Sequence, residues 1–167
     1  MFPILIGSKK NKEKGIFLAE ILIVSAIIST ALITFLGISI FSLKTSNFIK
    51  ETNMAVSFSE EMIEGVRSFR DGTDWSVGGL GSLSTDIDYH LEISGSPASW
   101  SLVPGAETTN NFTKRIIIER TSRDSGTDNI EDSYNPANDD PDTRKVTANV
   151  SWNNKDLEIT TYFTNWK

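Results

Sequence analysis

The sequence predicts an α+β fold, one long N-terminal helix packed on a small antiparallel β-sheet, from three observations. An apolar run of helical length follows a lysine-rich start, an amphipathic stripe prolongs it to about residue 70, and apolar residues alternate between Val146 and Phe163. Helical and strand signals are thus segregated along the chain rather than interleaved, as in α+β domains.

The first element begins with Lys9, Lys10, Lys12 and Lys14, then Gly15 and a run from Ile16 to Leu43 in which Glu20 alone is charged. Ile21–Leu43 is 23 residues, about 34 Å of helix at about 1.5 Å per residue, enough to cross a bilayer core of about 30 Å. The lysines ahead of it place 1–15 in the cytoplasm and the residues after Leu43 outside. Ser25 and Ser29 lie four apart, as do Ala26, Thr30 and Thr34. Such spacing lets helices approach closely and share hydrogen bonds in lipid, or is ordinary composition. Lys44–Asn53 is polar but holds no Pro or Gly to stop the helix. Beyond it Ala55, Phe58, Met62, Val66 and Phe69 form one stripe at three- and four-residue steps, and Asp71-Gly72 ends it.

After the helix, 73–88 is rich in Gly and Ser, with Trp75 and Leu80 as points of attachment to a core. Tyr89, Leu91 and Ile93 alternate, Trp100 and Leu102 begin a weaker strand closed by Pro104-Gly105, and Phe112–Thr121 reads as a better strand. Ser122–Thr143 is polar, carries two prolines, and is a loop by composition. The clearest β signal comes last. Val146, Ala148, Val150 and Trp152 alternate, Asn153–Asp156 turns, and Leu157, Ile159, Thr161 and Phe163 alternate back.

Charge and composition exclude several function classes. The whole chain is formally −6, and without residues 1–15 it is −9. An acidic domain repels phosphate backbones, so no electrostatic footprint for direct nucleic-acid binding exists. There are no cysteines, so whatever fixes the C-terminal region is not covalent. His90 is the only histidine, no ligand partners cluster around it in sequence, and no nucleophile elbow or phosphate loop occurs. Nothing asks for catalysis, and the chain reads as no enzyme.

Three readings compete for the N-terminal run. A secretory signal cleaved near Ser29-Thr30-Ala31 leaves a further apolar dozen, Leu32–Leu43, unexplained. A plain transmembrane anchor fits the length but not Glu20, since a carboxylate inside a bilayer helix costs about 2.5–3.5 kcal/mol. The third rests on Gly15-Ile16-Phe17-Leu18-Ala19-Glu20, which resembles the class III signal of type IV prepilins and type II secretion pseudopilins. The resemblance implies a pilin-like fold, cleavage between Gly15 and Ile16 by a prepilin peptidase, and N-methylation of Ile16. It also implies assembly through Glu20, whose carboxylate neutralises the new amine on a neighbouring subunit. That amine, of pKa about 7.7–8, is largely protonated at neutral pH. The sequence departs from the family in Ile16, where phenylalanine or methionine is commoner, and in Gly37, where many pilins carry proline.

Glu60–Asp71 and Asp142–Trp152 also resemble minor pilins and minor pseudopilins, at the helix end and the terminal strand. The implied organisation is a cleaved leader over 1–15, a membrane or filament-core helix over 16–43, its amphipathic continuation over 44–71, and an extracytoplasmic β-rich head over 72–167. The implied role is a minor pilin or pseudopilin, first in the cytoplasmic membrane and then in a surface or periplasmic filament. The implied partners are the prepilin peptidase, sister pilins, the platform protein and the assembly ATPase. The alternative is a single-pass anchored binding module that never polymerises. Some pseudopilins hold calcium in a loop before the last strands, and Asp139, Asp140 and Asp142 are the candidate ligands here, no EF-hand spacing being present. Otherwise that loop is simply solvated and acidic, and no cofactor is expected.

Overall fold

In the computed structural model the described residues are 10–166, with side chains from Phe17. One helix, α1, spans Lys10–Gly72 and runs unbroken through Gly37. It thus starts ahead of the expected Ile16 and ends where Asp71-Gly72 predicts. The chain divides into two compact units, Met1–Lys50 and Glu51–Lys167.

In the first unit the helix carries its apolar side chains in the open, Phe17 through Ile49. Five of its hydroxyls are engaged within the helix. Ser25, Ser29, Thr30, Thr34 and Ser39 each donate to a backbone carbonyl three or four residues back. A hydroxyl so engaged has no proton left for a neighbouring helix, so this face offers small size rather than donors.

In the second unit the expected stripe is the buried face. Ala55, Met62, Val66 and Phe69 are buried with Ser59 and Ile63, and Phe58 packs against the same core. They cover an antiparallel sheet of six strands: β1 Asp88–Ser94, β2 Ser99–Pro104, β3 Glu107–Thr109, β4 Phe112–Ser122, β5 Asp139–Trp152 and β6 Lys155–Thr164. The order is β2-β1-β4-β5-β6, with β3 also on β4. Ile116, Ile118, Val146, Ala148, Val150 and Trp152 supply the sheet's half of the core, as alternation requires. Phe112 stacks between Phe58 and Trp152, with centroids at 5.5 and 5.7 Å. Trp75 and Leu80, the two expected attachment points, are both buried.

Two hairpins close on Asn-Asn pairs. Asn110 and Asn111 (φ 51° and 68°) join β3 to β4, and Asn153 and Asn154 (φ 44° and 59°) join β5 to β6. A two-residue hairpin wants positive φ at both positions, and asparagine tolerates it best after glycine.

The expected loop over Ser122–Thr143 is corrected at its end. Asp139–Thr143 belongs to β5: Ser122 and Thr121 pair with Asp139 and Asp140, and Thr143 pairs with Thr164. Between Arg120↔Arg144 and Thr121↔Asp140 the register jumps, and a bulge holding Pro141 takes up the extra residues. The composition hides this strand because its ladder is made by backbone while its side chains are polar.

Burial changes along β1. Tyr89 is 2% exposed and Ile93 62% exposed, although alternation puts them on one face. The cause is pairing: β4 holds β1 only at Asp88 and Tyr89, and the rest of the β1–β2 hairpin leaves the sheet.

Candidate functional site

The N-terminal helix is the first candidate. It is long and apolar enough to cross a membrane. Glu20 stands exposed on it, bordering a shallow groove with Phe17, Ile21, Val24, Ser25 and Ile28. Among the described residues no ion pair or hydrogen bond reaches its carboxylate. Gly15 and Ile16 lie within α1, but the surroundings of both, like 1–9 altogether, fall outside the described residues, and with them the expected cleavage and N-methylation positions.

The expected calcium ligands do not converge. The Tyr134 hydroxyl donates to Asp139 at 2.8 Å, Arg123 Nε donates to Asp140 at 2.6 Å, and Asn165 Nδ2 donates to Asp142 at 2.9 Å. Among the described residues no group of three acidic, histidine or cysteine side chains is placed to hold a metal. Alternation parts Asp139 from Asp140, the bulge at Pro141 breaks the pattern before Asp142, and each carboxylate finds its own partner. Burial pushes the Asp140 carboxyl up, yet hydrogen bonds from Thr143, Arg123 and the Asp142 amide prevail and hold it below its ordinary value. His90 sits in β1 with its ring nitrogens 3.1 Å from the Gly105 carbonyl and the Glu92 carboxylate, a structural setting rather than a ligand set.

Two side chains matter that sequence reasoning did not single out. The Glu51 carboxylate, on α1, accepts from Trp152 Nε1 at 3.2 Å, Asn153 Nδ2 at 3.1 Å and Lys155 Nζ at 3.4 Å. It clasps the tip of the β5–β6 hairpin. The signal was present, because Glu51 lies four residues before Ala55 and so on the buried stripe. Arg144 is the other. It is buried, donates to the carbonyls of Gly81, Pro141 and Thr143, and lies over the Trp75 ring. Burial drives its basicity down. With Trp75 Nε1 donating to Pro141 at 3.1 Å, it ties the segment after the helix to the C-terminal strands without a covalent link. No sequence signal marks a lone arginine as buried.

Comparison of the chain with protein-family models, with curated proteins and with solved structures finds no match.

Proposed function

We propose that this chain is a prepilin-like structural subunit, a minor pilin or pseudopilin of a type IV pilus or type II secretion-like filament. It is cleaved after Gly15, held in the cytoplasmic membrane by 16–43, and assembled through its N-terminal helix. One observation carries the reading: a single open carboxylate, Glu20, five residues after Gly15 in a run otherwise free of charge. A static anchor gains nothing from that carboxylate, whereas a subunit whose amine begins at Ile16 needs a partner for it. The α+β head, with a helix laid on an antiparallel sheet, is compatible with such a subunit. Its work is mechanical and not enzymatic, and its machinery is the peptidase, sister pilins, platform protein and assembly ATPase.

The test is to express the chain in its native host and follow its start and its partition. Wild type should begin at Ile16, and Gly15→Ala should slow the cut. Glu20→Gln keeps size and hydrogen bonding but deletes the charge, so cleavage should survive while incorporation fails. Removing one partner of a buried pair costs about 3–5 kcal/mol, so recruitment to sheared filaments should fall about a hundredfold or more. Retention of Met1, or equal partition of the two forms with the leader removed, would refute the reading and favour the non-polymerising anchored module.

A further inference from the structure

The departure of β1 from the sheet opens a cleft of about 280 Å³ in the head, floored by Met62, Leu91 and Trp100 and rimmed by Glu61, His90, Ile93 and the Glu107–Lys114 ion pair. Its most telling wall is backbone. The Asp88 carbonyl accepts from the Gly105 amide at 2.8 Å, and those of Glu92 and Ser94 accept from the hydroxyls of Ser101 and Ser99. These even-numbered groups therefore point to β2. Strand alternation sends the amides and carbonyls of Leu91 and Ile93 the other way, into the cleft, where β4 no longer pairs with them. β3 has taken its place on β4, and among the described residues no ladder joins β1 to β3.

We infer that this cleft receives an extended peptide segment from a basic partner protein, added as a strand along Leu91 and Ile93. Two residues of open edge offer four backbone hydrogen bonds about 7 Å apart, the spacing of alternate strand residues. Side-chain chemistry follows from the two faces of β1. Tyr89 and Leu91 face the helix, so the partner's inward side chains lie over Met62 and Trp100 and are apolar. The outward ones meet Glu92, which faces His90, while Glu107 lies on the helix side, paired at 2.7 Å with Lys114, whose ammonium stands over the Phe58 ring. Exposed Glu61 lines the cleft from the helix, and Glu64 one turn on is paired with Arg67. From Glu51 onward the chain carries 20 acidic and 10 basic side chains, so the approaching field favours a cationic segment. The partner strand thus alternates valine-like and lysine-like residues. This holds whether or not the chain polymerises.

The probe is fluorescein-labelled acetyl-Lys-Val-Lys-Val-Lys-amide, titrated by anisotropy against the full chain in nonionic detergent. Saturable binding is expected, weakened at least fivefold by Glu61→Lys and by Ile93→Lys, both exposed positions whose variants should keep the wild-type circular dichroism. Asp132→Lys, the same charge change on the exposed loop outside the cleft, should leave it unchanged. Two N-methylated peptides, one blocked at the valine amides and one at the lysine amides, cover both strand polarities, and one of them should lose at least tenfold. Absence of saturable binding would overturn the inference. So would equal binding of all three peptides, which would mean side-chain capture without a strand, and so would an equal effect of Asp132→Lys, which would mean charge alone.

Discussion

Glu51 offers the sharpest quantitative test of how the head holds its last hairpin. Its carboxylate takes three donors, but they are not equal. Asn153 is exposed and Lys155 is partly so, and an ion pair in such a setting contributes about 0–1 kcal/mol. Trp152 is buried, and Glu51→Ala leaves its indole N–H without an acceptor, which costs about 1–3 kcal/mol. The sum is about 1–4 kcal/mol, about a fivefold or greater shift toward the unfolded head. Glu51→Gln retains a carbonyl oxygen for the indole and loses only the ionic part, so it should cost less than about 1 kcal/mol.

Urea unfolding of the full chain in nonionic detergent, followed by tryptophan fluorescence, measures both. Trp152→Phe removes the donor itself, so in its background Glu51→Ala should cost much less, with a coupling of about 1–2 kcal/mol. The reasoning fails if Glu51→Ala is as stable as wild type. It also fails if Gln is as damaging as Ala, or if the two sites prove additive, because the indole bond would then not be what the carboxylate provides.

Three further outcomes are expected. The folded pKa of Asp140 lies below the ordinary 3.8, so the stability it contributes is present above that value and is lost as pH falls through the folded one. The urea-midpoint gap between wild type and Asp140→Asn should be open at about pH 6 and should close in acid. A β-carbon at Gly65 would stand 2.3 Å from Leu91 Cδ1, so Gly65→Ala sets an overpacking cost of about 1–3 kcal/mol against about 1 kcal/mol of helix propensity. A net loss of about 1 kcal/mol that Leu91→Val relieves is the expected balance. Finally, millimolar calcium should leave the thermal midpoint of the full chain where chelator leaves it, since Asp139, Asp140 and Asp142 have separate partners; a rise with calcium would show that they can regroup.

What the sequence made legible is what local pattern alone decides. The buried stripe of α1 could be read because a helix with one packed face must repeat at 3.6 residues, and Val146–Phe163 because a strand with one packed face must repeat at two. Glu20 stood out because a charge in an apolar run is a local anomaly. The misreadings arise where the fate of a segment depends on a partner far along the chain. Asp139–Thr143 looks like loop, yet Thr121, Ser122 and Thr164 supply its ladder. The alternation of Tyr89, Leu91 and Ile93 likewise does not tell that β3 occupies the edge of β4 beside Ile93 and leaves it exposed. Arg144 is the extreme case. Its acceptors are carbonyls of Gly81, Pro141 and Thr143, and a backbone carbonyl leaves no trace in a sequence. In a chain without cysteines, the contacts that pin the C-terminal strands are therefore the ones that composition conceals, while the helix long and apolar enough to cross a membrane declares itself residue by residue.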